Sequence, residues 1–186
     1  MERVIILDRD GVINHDSPSF IKSLAEWQPI DGSLEAIARL SRAGWRVIVC
    51  TNQSGVARGL VAPRDLEVIH RQMQVRVEQL GGRIDGIYHC PHGPSDHCDC
   101  RKPAPGLLLQ AAADFGFDLA GIPVVGDAPR DLEAARRVDA RPILVLTGKG
   151  RETEQQDAAG NLETYVDLRH VVQALMAEEG AARNGP

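Results

Sequence analysis

The chain has 186 residues, 43% of them hydrophobic and 25% charged, with a formal net charge of −5. That is enough chain for one domain with a sizeable core, at an ordinary soluble composition. No basic stripe points to nucleic acid, no Lys/Arg cluster points to an anionic membrane surface, and no apolar run approaches a membrane span.

Short β-rich runs alternate with longer helical patterns along the chain. RVIILD (3–8) reads as a strand and GSLEAIARLSRAG (32–44) as a helix, with Leu34, Ile37 and Leu40 on one face and Gly44 as its stop. RVIVCT (46–51) is a second strand. PRDLEVIHRQMQVRVEQLGG (63–82) opens on Pro63, closes on glycines, and keeps Leu66, Ile69, Met73, Val77 and Leu80 at helical spacing. IDGIYHC (84–90) is a third strand, followed by an irregular stretch and a helix over 104–116. IPVVGD (122–127) is a fourth strand, 130–138 a helix, PILVLT (142–147) a fifth strand and 167–179 a closing helix. Apolar strands alternating with helices predict an α/β fold: one doubly wound, Rossmann-like parallel sheet covered on both faces. With no internal repeat and no linker, 1–186 reads as a single domain, with a loose tail from about 180.

In such sheets ligands sit beyond the carboxyl ends of the strands. The first strand ends in Asp8 and leads to Asp10. The second ends in Thr51, followed by NQSG. The fourth ends in Gly126-Asp127, with Asp131 four residues on, and Lys102 lies just before a helix. Taken singly, an Asp at a strand end is most often a turn residue or a cap. The whole set, at successive strand ends, is much harder to attribute to capping. Asp8, Asp10 and Asp127 together would repel one another without a cation, and hard oxygen ligands with room for water and phosphate suit Mg²⁺. A carboxylate can attack phosphorus to give an aspartyl-phosphate. Thr51 and Lys102 could then hold the phosphoryl oxygens.

LDRDGVIN, CTNQSGVARG, CDCRKPAPG and VVGDAPRDLEAA resemble the haloacid dehalogenase-like phosphatase superfamily, over roughly residues 4–147. With the cysteine loop, the nearest resemblance is to its phosphatases of small phosphorylated sugars and of histidinol phosphate. The resemblance implies a domain of that type without a large cap, acting as a monomer. It implies Asp8 as nucleophile and Mg²⁺ ligand, and Asp10 as general acid/base with its backbone carbonyl on the metal. Thr51 and Lys102 would stabilise the transferring phosphoryl group, and Asp127 would complete the Mg²⁺ site. Asn52, Gln53, Ser54 and Arg101 would contact substrate, and the loop Asp16 to Ser19 would close over it. Acid/base duty predicts a pKa of Asp10 tuned to that work. One departure stands out: Ala128 follows Asp127, where related enzymes often carry a polar or basic residue.

CPHGPSDHCDC (90–100) pairs Cys90 with His92 and Cys98 with Cys100. Three sulfurs and an imidazole make a closed tetrahedral Zn²⁺ site, structural because no position is left for water. The zinc loop, 90–103, would rigidify the segment that delivers Arg101 and Lys102. A tight cysteine cluster favours metal over disulfides in a reducing compartment, and MERVIILDRD has no secretory pattern, so the cytoplasm is expected. A phospho-receiver module also uses acids, a Thr and a Lys around Mg²⁺. It accounts for neither a second Asp two residues after the first nor the cysteine loop. A zinc-binding interaction module leaves the aspartates without a role.

Overall fold

The structure, a computed structural model, describes residues 3–157 and 160–183. Six strands form one wholly parallel sheet: β1 (Val4–Leu7), β2 (Arg46–Asn52), β3 (Gly86–Cys90), β4 (Pro123–Gly126), β5 (Arg141–Val145) and β6 (Glu163–Tyr165). Their order is β3-β2-β1-β4-β5-β6. The helices α1 (Ser33–Arg42), α2 (Pro63–Gln79), α3 (Gly106–Phe115), α4 (Pro129–Arg136), α5 (Gly150–Gln156) and α6 (Leu168–Arg183) follow the strands in turn.

Alternation along β1 divides the core. Ile5 and Leu7 face one way, packed with Val47, Val49, Ile37, Leu40, Ile69, Met73 and the α6 residues Val171 and Leu175. Val4 and Ile6 face the other, with Ile48, Cys50, Leu107, Leu108, Ala134 and Ala135. Both faces of every central strand are buried, so the strands read as unbroken apolar runs rather than alternating ones. No helix among the described residues is long and apolar enough to cross a membrane.

The expected elements are present, most ends shifted by a residue or two, with α2 ending three residues earlier and α6 four residues later than expected. Two were missed, α5 and β6. The helix GRETEQQ buries only Gly150 and Thr153, and the edge strand has three half-buried residues, so neither carries an apolar period. The tail expected to be loose from about 180 is instead helical to Arg183; 184–186 lie outside the described residues.

Sheet order positions the site. The chain runs from β1 outward to β2 and β3, then returns to β4 on the other side of β1. The order in which strands are added therefore reverses between β1 and β4, the place where such sheets open a crevice beyond the strand ends. Asp8 follows β1, Thr51 lies near the end of β2 and Asp127 follows β4, so three neighbouring strands deliver their side chains to one place.

Candidate active site

Asp8 is buried, and both its hydrogen-bonded contacts fall on Oδ1: the Arg9 amide donates at 2.8 Å and Lys102 Nζ lies at 3.0 Å. Burial raises the Asp8 pKa, opposed by the Lys102 charge and reinforced by Asp131. Lys102 is equally buried. Its ammonium donates to the Cys50 carbonyl at 2.8 Å and forms ion pairs with Asp8 Oδ1 and with Asp131 Oδ1 at 2.7 Å. Burial alone would lower its pKa, but Asp131 and Asp8 more than offset that, so it stays charged. Lys102 therefore acts on an incoming phosphoryl group through its charge, or by exchanging one of these contacts.

Asp131 had no role assigned from sequence. Its Oδ2 accepts the Ala128 amide at 3.1 Å, capping α4 from its third position, while Oδ1 holds Lys102. Gly126 makes room for it, since a Cβ there would lie 2.2 Å from Asp131 Cβ. Ala128, the departure noted above, is the buried cap position itself and offers only backbone.

Asp127 is 1% exposed. Its Oδ2 accepts the Lys149 amide at 2.8 Å, whereas Oδ1 is buried without any partner. Burial and the neighbouring Asp8 charge push its pKa up to about 7. Gly11 (φ +87°) and Gly148 (φ +56°) flank it, and a Cβ on either would lie 2.1 Å from Oδ2. Carboxylate oxygens of Asp8, Asp127 and Asp131 lie within 4.8 Å of one another. Lys102 serves two of them, and the orphaned Oδ1 of Asp127 is left facing a surplus of negative charge. That oxygen-rich donor set fits a hard divalent cation.

The sequence reading had placed the Asp10 carboxylate in this cluster, and the structure corrects it. The Asp10 carboxylate is not among the oxygens that converge there. Arg9 grips it through Nε on Oδ1 (2.9 Å) and Nη2 on Oδ2 (3.0 Å), Asn14 Nδ2 donates to Oδ1 (2.8 Å) and Gln53 Nε2 to Oδ2 (2.9 Å). Burial alone would raise its pKa; the Arg9 charge and these hydrogen bonds outweigh it and hold the carboxyl below its usual range. Only its backbone carbonyl remains for the metal side. Sequence reasoning also passed over the Arg9 and Asn14 shell. Arg9 is fully buried, and its Nη1 donates to His70 Nε2 at 3.1 Å. Trp27 Nε1 in turn fixes Asn14 Oδ1 at 3.0 Å. The signal was a lone Arg between two acids, easily taken for a solvated charge.

Of the expected substrate contacts, Asn52 and Gln53 are engaged within the site itself. Asn52 is tied at both ends to Lys102, donating to its carbonyl and accepting from its amide, each at 3.0 Å. Gln53 bridges Asp10 and Thr51, whose Oγ1 accepts at 3.0 Å. Ser54 is half-buried. Arg101 donates to the His92 carbonyl at 3.2 Å, joining the cysteine loop to the crevice. Asp16 pairs with Lys149 at 3.3 Å, while Ser19 lies exposed on the same flap. Lys149 comes from the β5–α5 connection, which the sequence reading left blank. Thr147 in the same connection donates to the Gly11 carbonyl at 2.6 Å.

Cys90, His92, Cys98 and Cys100 converge. Sulfur–sulfur distances run from 3.2 to 3.6 Å, and His92 Nδ1 lies 3.6 Å from Cys90 and 3.3 Å from Cys100. A tetrahedron of three sulfurs and one nitrogen, with Zn–S of ~2.3 Å and Zn–N of ~2.0 Å, has edges of roughly 3.5–3.8 Å, a little wider than these separations. The cluster is compatible with that ion. His89 stays out of it, in β3, edge-to-face with His70.

A central strand that ends in an Asp, a Thr on the next strand, a buried Lys and an Asp pair after β4 fit the haloacid dehalogenase-like hydrolases. A HAD-hydrolase-like family model matches residues 99–171. A D-glycero-β-D-manno-heptose-1,7-bisphosphate 7-phosphatase from Pseudomonas aeruginosa is 53% identical, over 93% of this chain and 97% of that protein. A relative of the same description from Neisseria meningitidis serogroup B is 47% identical over 96% and 97%. The crystal structure of D,D-heptose 1,7-bisphosphate phosphatase from Bordetella bronchiseptica, complexed with magnesium and phosphate, superposes with a TM-score of 0.92. It is 49% identical and covers 96% of this chain and 99% of that one. The chain belongs to the D-glycero-β-D-manno-heptose-1,7-bisphosphate 7-phosphatase family of haloacid dehalogenase-like hydrolases.

Proposed function

We propose that this protein is a Mg²⁺-dependent phosphatase that removes the 7-phosphate of D-glycero-D-manno-heptose 1,7-bisphosphate, the β anomer preferred. The product would feed the nucleotide-activated heptose used in lipopolysaccharide core assembly. The observation that carries the reading is the buried, unpartnered Oδ1 of Asp127 beside Asp8, in a chain so close to relatives of that name.

Asp8 is the nucleophile. Lys102 and the Arg9 amide hold Oδ1, which directs Oδ2 toward phosphorus. Attack forms the aspartyl-phosphate and breaks the bond between phosphorus and the sugar O7, and Asp10 gives that oxygen a proton. Water then attacks phosphorus, Asp10 takes its proton and Asp8 is released. The grip of Arg9, Asn14 and Gln53 suits the base half of this cycle. For the acid half, the negative charge arriving with the phosphate offsets the pull of Arg9. Thr51 accepts from Gln53 and so has its hydroxyl proton free for a phosphoryl oxygen. Asp8, Asp127 and the Asp10 carbonyl would hold the Mg²⁺, which supplies charge neutralisation between the carboxylates and the phosphate. Ser54, Arg101 and the Asp16–Ser19 flap line the sugar side, with Asn52 and Gln53 fixing the groups behind them. Zinc on Cys90, His92, Cys98 and Cys100 is structural, and we read the working unit as a monomeric single domain.

The test is phosphate release with Mg²⁺ from both anomers of the heptose bisphosphate and from histidinol phosphate. The β anomer should give the highest kcat/KM, and Asp8→Asn should abolish turnover in a folded protein. Equal or better turnover of histidinol phosphate would move the assignment to that substrate, the one rival with the same chemistry. Steady-state release by folded Asp8→Asn would remove the nucleophile assignment.

A further inference from the structure

Arg130 stands in the first turn of α4, beside Asp131 and three residues after Asp127. It is half-buried, and its Nε is buried without a hydrogen-bond partner. Among the described residues its guanidinium makes no ion pair within 4.0 Å. Yet it stands in the field of four carboxylates. Burial works against its charge, and Asp131, Asp8, Asp127 and Asp16 more than offset that. Asp8 and Asp127 feel it in return, each drawn down by the Arg130 charge.

A guanidinium carries five donors and is costly to leave unmade when partly desolvated. Arg9, the other guanidinium of the site, is fully buried and committed to Asp10 and His70 through all three of its nitrogens, and Lys102 is held by Asp8, Asp131 and the Cys50 carbonyl. Arg130 differs from both in keeping a buried nitrogen, Nε, without a partner. Neutral ligands would leave its charge uncompensated. A dianionic phosphoryl group matches both the charge and the fork geometry.

We propose that Arg130 is a substrate-contacting residue, donating to an oxygen of the phosphoryl group bound at Asp8, in both the substrate and the orthophosphate product. This rests on the phosphatase reading above. In the sequence, Ala128 left the position after Asp127 without a polar side chain; Arg130, the second residue of α4, supplies the cation instead.

The experiment uses the full chain with Mg²⁺ bound, in the forms wild type, Arg130→Lys and Arg130→Met. Two quantities are read: competitive inhibition by inorganic phosphate, and kcat/KM on heptose 1,7-bisphosphate beside heptose 7-phosphate. Thermal unfolding and zinc content check the fold. Arg130→Met should weaken phosphate inhibition by roughly 10- to 100-fold, the worth of one charge-assisted hydrogen bond. It should lower kcat/KM on both substrates by a similar factor, and Arg130→Lys should recover only part of each loss. Unchanged phosphate inhibition in Arg130→Met would overturn the proposal. Full recovery in Arg130→Lys would also overturn it, because the residue would then only balance charge. A loss confined to the bisphosphate would overturn it by assigning Arg130 to the outer phosphate. If Arg130→Met does not fold, the Arg130→Lys comparison decides: wild-type values overturn the proposal, partial loss on both readouts supports it. Failure of wild type to hydrolyse either ester tells against the phosphatase reading itself, and is distinct from all of these.

Discussion

Asn52 illustrates how one side chain serves catalysis at second hand. Its carboxamide closes a two-bond clasp on the Lys102 backbone, so it fixes the segment carrying the ammonium that holds Asp8 and Asp131. Asn52→Ala removes both bonds, each worth about 1 kcal/mol. It should cost a few kcal/mol at most in stability and lower kcat more than it raises KM, because Lys102 shifts while the sugar side is untouched. A KM rise with kcat unaltered would return Asn52 to the substrate contact the sequence suggested. Asp10→Asn isolates a different duty. The amide preserves size and cannot carry a proton between leaving group and water, so turnover should fall by about 10²- to 10⁴-fold. An unchanged rate would leave Asp10 a metal-side residue through its backbone alone.

The elements were legible where an apolar period ran through them, and opaque where it did not. β1, β2, β4 and the amphipathic α1 and α2 advertise themselves because each buries a stripe or both faces. The β5–α5 connection carries no period, and so Gly148 and Lys149 could not be placed and Thr147 read as the end of the fifth strand, although they pack against Gly11, Asp127 and Asp16. The strand-end residues Asp8, Thr51 and Asp127 were readable because sheet order alone brings them together. Side-chain direction was not, which is why the Asp10 carboxylate was placed toward the cation when Arg9 holds it outside that cluster. The loop from Cys90 to Cys100 was readable from ligand spacing alone, and it allows a prediction about an element as a whole. Arg101 leans on the His92 carbonyl and Lys102 on Asn52, so disordering the loop should displace both cations. Cys98→Ser should lose zinc and activity together. Lys102→Ala should lose activity with zinc retained, and Arg101→Ala should alter selectivity among phosphorylated sugars with zinc retained. Metal content measured beside kinetics decides it: a zinc-free Cys98→Ser with full rate and selectivity would mean the loop does not place these residues.

Across the whole molecule, folding joins the site to the packing of α2 on the sheet through one histidine. His70 lies on α2, 8% exposed, and accepts the Arg9 Nη1 hydrogen bond on Nε2, so it is neutral with its proton on Nδ1. Burial, the Arg9 charge and His89 lower its pKa from 6.5 to about 3. The unfolded chain therefore binds a proton near pH 6.5 that the folded chain refuses until about pH 3. The stability His70 gives by staying neutral is complete above pH 6.5 and is lost as pH falls, with a slope of about 1.4 kcal/mol per pH unit. Asp127, its pKa raised to about 7, has the opposite sign in metal-free protein: stability falls as pH rises from 3.8 toward 7. The two trends oppose each other in the total, so the wild-type curve alone cannot separate them. His70→Gln can. Its side-chain carbonyl keeps an acceptor for Arg9 but does not titrate, and Asp127 is unaltered. The difference in unfolding free energy between wild type and His70→Gln, measured by denaturant at fixed Mg²⁺, should be flat above pH 6.5. It should then move in favour of the variant at close to that slope between pH 6 and 4. A difference independent of pH over that interval would mean that His70 is protonated in the folded protein, and that Arg9 is held to Asp10 without it.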